Sequence, residues 1–499
     1  MIESGRQCPG NKLLIANDAR KLIVPSFLIQ TLGCKLNQLE SESISDAFRR
    51  AGFIESKTGN PEAKSEKQSY PSIIIINTCT VTSKADQKAR RVIRKALRDY
   101  PESCVIVTGC YAKLNKDDIQ KLEMDGKRRF FVLNKDKIIS LPQYLKGKSG
   151  INEIINNYVN SLSLKIPDSS SVTRNSFQFN PGKFSQHTRS FLKIQDGCDK
   201  QCTYCKIRLV RGPNISLKKD EVLSRLRILE ENYAEAVLTG VNICQYMDCE
   251  REKGTKIEFA GLLEYLLEGT EKIAIRLSSL SPQSVDENLT RVLPHPRIRP
   301  HFHLSVQSGS SKILERMGRS YNSETVEKAV SLLRSAKDDP FIACDIITGF
   351  PGETENDFDQ TLKLCKNLDF AWCHVFPYSK RSGTLSSSFS DAVSKNEVTR
   401  RVHLLTCLAK QGKASYVQRW IGREVDALIE NLGRGNHELS SNNMKFSEFN
   451  DIIQGTTDNY LKILIRYKGE DTILPGTTLR CKISESGDFK KFDVFADFF

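Results

Sequence analysis

Long apolar runs are missing from this 499-residue sequence. No stretch approaches the roughly 20 apolar residues that span a bilayer, and residues 1–20 lack the apolar core of a secretory signal. Both absences argue against a membrane-spanning or exported protein, so we expect a cytoplasmic protein with no membrane partner. The length suits roughly two to four domains, each with its own core.

Acidic residues are in deficit. The chain has 60 Asp and Glu against 74 Lys and Arg, which gives a formal net charge of +14. This excess suits a polyanionic partner such as nucleic acid, although many basic surfaces are simply solvated.

Cysteine, by contrast, is abundant, with 15 residues. Because disulfides rarely persist in the cytoplasm, we expect metal binding or catalysis to account for some of these thiols.

Three cysteines lie close together in the middle of the chain. Cys198, Cys202 and Cys205 have the spacing C-x3-C-x2-C and follow an apolar, strand-like run at 191–194. Zinc usually takes four ligands, commonly as two C-x2-C pairs, whereas a four-iron cluster held by three thiolates keeps one iron open for a substrate or cofactor. The spacing therefore favours a reactive iron–sulfur cluster. A zinc knuckle with a distant fourth ligand, or three structural cysteines, is the alternative.

A second set of three cysteines is widely spaced in the N-terminal part. Apolar, strand-like runs end at Cys34, Cys79 and Cys110, and a helix-like segment follows each run. This alternation predicts a parallel sheet covered on both faces. Because ligands gather at the carboxyl ends of such strands, we expect the three thiols to converge there as a second metal site. Alternatively, they are buried small hydrophobes at strand ends.

Two further features of the N-terminal part concern its surface. Residues 1–24 are expected to form an N-terminal extension. Residues 55–69 are rich in Lys, Glu, Ser and Gln and are expected to form a surface insertion. In the helix predicted at 84–99, Arg90, Arg94 and Arg98 share one stripe at i, i+4 spacing. Such a stripe suits RNA phosphates, and a solvated helix face is the alternative.

The central part of the chain predicts a barrel. Residues 147–187 hold few sustained apolar patterns and are expected to form a linker. Beyond them, six strand candidates separated by helical stretches predict a six-unit, partial β/α barrel over 188–421, whose active face is made by the loops after the strands. Polar and glycine residues at these strands are candidate cofactor contacts: Gly240, Asn242, Arg276, Ser278, Gln307, Asp345 and Gly349.

The character of the chain changes again at its C-terminal end. From Gly422 onward, short β-branched runs alternate with turns rich in Gly and Asn. This pattern predicts a small antiparallel β-barrel over 422–499. Small barrels of this kind often bind nucleic acid.

Specific motifs carry a family resemblance from residue 25 to about 483. They are TLGCKLNQLESE around Cys34, INTCTVT around Cys79, TGCYA around Cys110, FLKIQDGC with CTYC, VLTGVNI, IRLSSL, HLSVQSGSSKILERMGR, DIITGFPGETENDF and HVFPYSKRSGT. The chain resembles the methylthiotransferases, radical S-adenosylmethionine (SAM) enzymes that add a methylthio group to an unactivated carbon. The resemblance implies an N-terminal cluster domain at 25–146, a radical SAM barrel at 188–421 and an OB-like TRAM barrel at 422–499.

The resemblance also implies two 4Fe-4S clusters and SAM as cofactors. Cys198, Cys202 and Cys205 match the motif that holds the SAM-binding cluster, while Cys34, Cys79 and Cys110 match the ligands of the auxiliary cluster. The seven strand-end residues given above would lie near SAM. Catalytic residues beyond the six cluster ligands are not identified. An electron donor and a sulfur source are implied as further partners.

The substrate follows from one motif. TLGCKLNQ is similar to the subfamily that acts on C2 of N6-threonylcarbamoyladenosine next to the anticodon, so the implied partner is a tRNA anticodon stem-loop. Enzymes acting on isopentenyladenosine in tRNA, or on a ribosomal-protein aspartate, differ at this motif and are the alternatives within the family. An RNA-binding protein with structural iron–sulfur clusters is the alternative from another class.

Overall fold

The computed structural model describes residues 25–56, 70–122, 129–148, 150–163, 176–184, 187–249, 255–433, 451–467, 473–489 and 491–498. The predicted extension at 1–24 and residues 57–69 of the predicted insertion lie outside the described residues. Within the described ranges, no helix combines the length and the apolar character needed to cross a membrane.

The first unit is a five-stranded parallel sheet with helices on both faces. Its strands are β1 (Ser26–Thr31), β2 (Ile54–Glu55), β3 (Ile73–Thr78), β4 (Cys104–Gly109) and β5 (Phe130–Val132), and its helices are α1 (Lys35–Arg50), α2 (Ser83–Asp99), α3 (Cys110–Leu114), α4 (Lys116–Gln120), α5 (Lys135–Leu145) and α6 (Ile151–Ser163). The strand order is β2-β1-β3-β4-β5, and every pairing is parallel. β3 and β4 are buried along their whole length, as the continuous apolar runs predicted.

The segment expected to be a linker has regular structure. Helix α6 begins at Ile151, and its Ile155 and Tyr158 pack into the core of the first unit together with Phe179. Polar residues such as Asn152, Asn156 and Asn157 dilute the apolar signal of this helix, although a single buried face is enough to hold it. The segment expected to be a linker therefore includes a helix that packs on the first unit.

The second unit is the partial barrel. Its strands are β6 (Ser190–Lys193), β7 (Gln195–Asp196), β8 (Ile215–Ser216), β9 (Glu235–Thr239), β10 (Met247–Cys249), β11 (Lys256–Glu258), β12 (Ala274–Leu277), β13 (His301–Gln307), β14 (Phe341–Thr348) and β15 (Trp372–Pro377). Its helices are α7 (Ile207–Arg211), α8 (Lys219–Glu230), α9 (Phe259–Glu268), α10 (Glu287–Val292), α11 (Ser311–Arg316), α12 (Ser323–Ala336), α13 (Glu355–Asn367) and α14 (Lys395–Trp420).

Six of these strands form the barrel wall in the order β6-β9-β12-β13-β14-β15. The pairings are parallel, and isolated bridges such as Leu280 to Leu304 join the β12 side to the β13 side. The described strands β6 and β15 do not pair, so the barrel is open between them. The predicted six-unit partial barrel is thus confirmed.

The first unit covers the open side of the barrel. On one edge, α1 contacts β6, and its Leu39 belongs to the barrel core. On the other edge, Arg381, which follows β15, donates to Asp86 of α2 at 2.8 Å. The cysteine-bearing edge of the first sheet therefore faces the inside of the barrel.

The inside of the barrel, which we call the lumen, is open to solvent. On β13, Phe302, Leu304 and Val306 face the outer helices and are fully buried. Because side chains alternate along a strand, His303 and Ser305 face the lumen, and both are partly exposed. The lumen is therefore a chamber and not a packed core.

The third unit is a closed five-stranded barrel. Its strands are β16 (Glu424–Gly433), β17 (Asp451–Thr457), β18 (Lys462–Tyr467), β19 (Thr478–Ser486) and β20 (Val494–Phe498), in the order β16-β17-β18-β20-β19. All pairings are antiparallel except β18 with β20, which is parallel. A closed barrel with an odd number of strands cannot alternate direction throughout, so one parallel pair is required. The predicted small barrel is confirmed with this difference.

Candidate site between two cysteine triads

The first triad consists of Cys34, Cys79 and Cys110, which follow β1, β3 and β4. Cys79 and Cys110 directly follow Thr78 and Gly109, which pair between β3 and β4, so both thiols lie at the same edge of the sheet. Burial raises the pKa of the Cys79 thiol to about 11, and the neighbouring Cys34 and Cys110 act in the same direction. Gly33 has a φ of +105°, and a Cβ there would lie 2.5 Å from Cys79 Cβ. Glycine is therefore required for Cys34 and Cys79 to approach each other.

The second triad consists of Cys198, Cys202 and Cys205 in the loop after β7. Burial raises the pKa of Cys205 to about 11 and also raises that of Cys198. The loop backbone is held at both ends, by Cys198 N–H donating to the Gly212 carbonyl at 3.1 Å and Thr203 N–H donating to the Met317 carbonyl at 3.0 Å. The thiols are therefore fixed in a loop after a strand, which is the usual position of active-site residues in β/α barrels.

Neither triad is arranged for a single metal ion. Among the described residues, the only three candidate ligand atoms that all lie within 4.8 Å of one another belong to Cys344, Cys365 and Cys373. Those thiols are buried in the apolar barrel core, where free cysteine packs as a small hydrophobe. The wider spacing of the two site triads suits a cluster of several irons, in which each thiolate binds a different iron atom.

Arg319 is a site residue that sequence reasoning missed. Its guanidinium donates to the Tyr204 hydroxyl within the second triad's loop, and its positive charge opposes the rise in the pKa of Cys205. Its Nε is buried and has no partner among the described residues. A negatively charged cluster, or a carboxylate of a bound cofactor, would satisfy this group. The residues around the second triad therefore fit an anionic iron–sulfur centre.

A network of buried charges connects the two triads. Arg211 Nη1 lies 3.0 Å from Glu40 Oε1 and 3.2 Å from Asp196 Oδ1, and its Nη2 lies 3.8 Å from Cys110 Sγ. Burial alone would raise the pKa of Glu40, but Arg211, Lys135 and Lys193 bring it down to about 2. Arg211 therefore fixes the first triad relative to the barrel loop that holds the second triad.

Three of the sequence-predicted cofactor contacts lie at the second triad or in the lumen. The Asn242 side chain lies beside Cys198 and lowers the pKa of that thiol against the effect of burial. Gln307 Oε1 accepts from the Tyr204 hydroxyl at 3.2 Å. Asp345 lies in the lumen, with Oδ1 3.1 Å from His303 Nε2.

The glycine and serine candidates have local backbone roles. A Cβ at Gly240 would lie 2.8 Å from Gln195 Oε1, so glycine lets β9 pass close to the loop. Gly349 has a φ of +75° and donates its N–H to Glu353 Oε2 at 2.6 Å. Ser278 donates its backbone N–H to the Leu238 carbonyl, which continues the pairing of β12 with β9.

Arg276 does not lie at the triads, which corrects the expectation that it contacts the cofactor. Its guanidinium binds both oxygens of Glu235, at 2.6 and 2.9 Å, and the carbonyls of Thr457 and Asp458 in the third unit. Most of its donors are occupied, so it joins the third unit to the barrel. The sequence pattern missed this because Asp458 is 182 residues away.

Arg276 belongs to a polar cluster that closes one end of the lumen. We call this cluster the lumen floor; its members are Lys35, Arg189, Glu235, Arg276, Arg299, His301 and Tyr460. Tyr460 has a φ of +73°, and its ring lies 4.0 Å from the His301 ring and 5.1 Å from the Arg276 guanidinium. Burial lowers the pKa of His301 well below its usual value, and Arg276 acts in the same direction, so its imidazole is neutral.

The predicted arginine stripe lies on the open face of α2. Ala89, Ile93 and Ala96 are buried on the opposite face. Gln87, Arg90, Arg91, Arg94, Lys95 and Arg98 line one groove. Arg90 also donates to the hydroxyl of Tyr111, next to Cys110, at 2.9 Å. The groove therefore starts close to the first triad and continues along the surface.

Comparison with known proteins matches both cysteine-bearing units. Residues 192–365 match the radical SAM superfamily, and residues 26–128 match the uncharacterized protein family UPF0004. The chain is 36% identical to the threonylcarbamoyladenosine tRNA methylthiotransferase MtaB of Treponema pallidum, over 93% of this chain and 99% of that protein. It is 31% identical to the protein of that name from Bacillus subtilis, over 92% of this chain and 93% of that protein. The chain is 28% identical to a tRNA-2-methylthio-N(6)-dimethylallyladenosine synthase of a Psychrobacter species, over 92% of this chain and 89% of that protein.

Proposed function

Because this chain belongs to the threonylcarbamoyladenosine tRNA methylthiotransferases of the radical SAM superfamily, we propose that it adds a methylthio group to C2 of N6-threonylcarbamoyladenosine next to the tRNA anticodon. The protein is an enzyme that transfers a sulfur-containing group. The observation that carries the proposal is the presence of two cysteine triads at one lumen, joined by Arg211.

A 4Fe-4S cluster and SAM follow from the superfamily. We propose that Cys198, Cys202 and Cys205 hold this cluster and leave one iron open for SAM. With SAM bound, the cluster supplies the radical chemistry that removes hydrogen from an unactivated carbon. The chain's own residues position the loop: Asn242 lies beside Cys198, and Arg319 and Gln307 hold Tyr204 in the cysteine loop.

We propose that a second 4Fe-4S cluster is held by Cys34, Cys79 and Cys110 and presents the sulfur that is transferred. Their placement after neighbouring parallel strands, at one edge of the first sheet, supports this. A negatively charged cluster there would meet the guanidinium of Arg211, 3.8 Å from Cys110 Sγ. An external electron donor and a sulfur source complete the proposed reaction.

The three units described above support the proposed division at 25–146, 188–421 and 422–499, with α6 packed on the first unit. We propose that α2 and the third unit bind the backbone of the anticodon stem-loop, and that the enzyme works in the cytoplasm. Because backbone contacts position an RNA while base contacts specify it, selection of the nucleoside is assigned to the lumen.

The substrate is tested with three anticodon stem-loops of one sequence. They carry N6-threonylcarbamoyladenosine, isopentenyladenosine or unmodified adenosine at the same position. Anaerobically reconstituted enzyme is expected to methylthiolate only the first, as measured by nucleoside mass spectrometry. Reaction of only the isopentenylated loop would overturn the substrate while leaving the reaction type intact. Formation of 5′-deoxyadenosine with no methylthiolated product from any loop, or from a ribosomal protein, would overturn the reaction type as well.

The arginine stripe is tested through the salt dependence of binding. Changing Arg94 and Arg98 to Gln is expected to reduce the log–log salt slope of stem-loop binding by about two, roughly one per lost phosphate contact. Arg90 is left in place because it also binds Tyr111. The control is Lys363→Gln on exposed α13, which is expected to leave the slope unchanged. An unchanged slope in the double variant would show that the stripe is only a solvated face.

A further inference from the structure

Two polar groups at the lumen floor lack partners. Lys35 Nζ forms no hydrogen bond or ion pair with any described residue and lies 5.9 Å from the centroid of the Tyr460 ring. His301 is 4% exposed, and its Nδ1 has no hydrogen-bond partner in the described part of the chain. Because a polar group buried without a partner is costly and rare in native proteins, the buried Nδ1 of His301, beside the partly exposed and unpaired Lys35, indicates a ligand.

The other cations of the floor are already paired. Arg276 binds Glu235 at 2.6 Å, Arg299 binds the same carboxylate at 3.0 Å, and Arg189 binds Glu430 at 2.9 Å. Lys35 differs from all three in having no acidic partner among the described residues. Four cations of the floor therefore share two carboxylates, Glu235 and Glu430, and Lys35 is the one with no carboxylate contact of its own. Because Lys35 lies close to a neutral imidazole, the group that fits it is an anion that also accepts a hydrogen bond.

Lys35 lies between the rest of the lumen floor and the first cysteine triad. Lys35 is the first residue of α1 and directly follows Cys34 of the first triad. Its side chain extends from the triad toward Tyr460 and His301, so a ligand bound at the floor lies beside the proposed sulfur-presenting cluster. On the proposed function, the substrate nucleoside carries a threonylcarbamoyl group at N6, and this group ends in a carboxylate.

We infer that Lys35 and His301 form the subsite for the carboxylate of the N6 substituent, with Lys35 as its ion-pair partner and His301 as a hydrogen-bond donor. This inference rests on the proposed function. An ion pair at the floor is charge-assisted, which makes it selective for the carboxylate over an uncharged group of the same shape. Arg276 and Tyr460 act as positioning residues, because they hold the floor against the third unit.

The test separates this role of Lys35 from two others, which are holding the third unit through Tyr460 and placing a positive charge beside the group bound by Cys34. Both would affect every substrate equally. The test therefore compares two stem-loops that differ only at the carboxylate. One carries N6-threonylcarbamoyladenosine, and the other carries its carboxamide, which keeps the shape and removes the charge.

Wild-type holoenzyme is expected to favour the carboxylate loop over the carboxamide loop by about 10- to 100-fold in kcat/KM, as for loss of a charge-assisted hydrogen bond. Lys35→Met should abolish this preference by lowering kcat/KM for the carboxylate loop only. Lys35→Arg, which keeps the charge, should retain most of the preference. Lys363→Met on the outer helix α13 is the matched lysine control, and kcat/KM on both loops should stay at the wild-type values.

An equal fall of kcat/KM on both loops, or no fall on either, would overturn the inference. Equilibrium binding of the two loops to holoenzyme tests the subsite independently of the proposed function, because it does not require turnover. If wild-type enzyme methylthiolated neither loop, the proposed function would fail, and binding would still decide the subsite. Tighter binding of the carboxylate loop that is lost in Lys35→Met would support it, whereas equal binding of both loops by the wild-type protein would overturn it.

Discussion

Replacing Cys202 with alanine is expected to reduce 5′-deoxyadenosine formation to the background of cluster-free protein and to abolish methylthiolation. Two thiolates would remain in the second triad, too few to hold a cluster with one open iron. The fold should persist, because Cys202 is only partly buried and the loop is held by backbone hydrogen bonds from Cys198 and Thr203. The measurements are 5′-deoxyadenosine by chromatography after anaerobic reconstitution, and thermal unfolding.

The matched control is Cys249→Ala. Cys249 is an exposed thiol on β10, and its loss should leave both SAM cleavage and iron content at wild-type values. SAM cleavage retained in Cys202→Ala would show that the C-x3-C-x2-C loop does not hold the reactive cluster. Loss of cleavage together with an early unfolding transition would call for Cys202→Ser, for which the same loss of cleavage is expected with the fold intact.

Changing Cys34, Cys79 and Cys110 together to alanine is expected to abolish methylthiolation while SAM cleavage continues. Iron content should fall from roughly eight to roughly four per chain, the content of one remaining four-iron cluster. SAM cleavage should survive because its cysteines lie on the barrel loop, whose backbone is anchored at Gly212 and Met317 within the second unit. Iron and sulfide analysis, with product mass spectrometry, checks both parts.

A buried thiol in the same unit controls for packing. Cys104 opens β4, is fully buried in the core of the first unit and has a pKa raised by burial. Cys104→Ala removes a sulfur from that unit without touching the triad, so iron content and turnover should stay at wild-type values even if stability falls. Iron near the wild-type value in the triple variant would show that the first triad is only structural.

The main architecture was predictable because its signals are local. Continuous apolar runs such as 73–76 and 105–107 are typical of a parallel sheet covered on both faces. The six runs between 191 and 376, separated by helices, indicate a barrel for the same reason. The spacing of Cys198, Cys202 and Cys205 identifies a metal loop without any tertiary information. The helix at 151–163 was missed because its asparagines dilute the apolar pattern, although one face is buried.

The lumen floor was not predictable from any local pattern. Arg276 stands in a strand near other polar strand ends, which suggested a cofactor contact, yet it binds Glu235 and the carbonyls of Thr457 and Asp458. The third unit also shares a core with the barrel, since Phe341 of β14 packs against Tyr416 and Tyr460. A small barrel that looked separate in the sequence is therefore part of the chamber wall.

The sequence by itself determined the main strands and helices of the three units and the two cysteine triads, because apolar periodicity and ligand spacing depend on near neighbours along the chain. Tertiary structure alone decided which side chains share a chamber. Arg319 reaches Tyr204 over 115 residues, and Arg211 reaches Cys110 over 101 residues. Such charged contacts produce no periodic pattern in the sequence. A single polar residue can be exposed, paired or buried, and only the folded structure shows which. The unpaired ammonium of Lys35 is visible only after every other cation of the floor has found its partner.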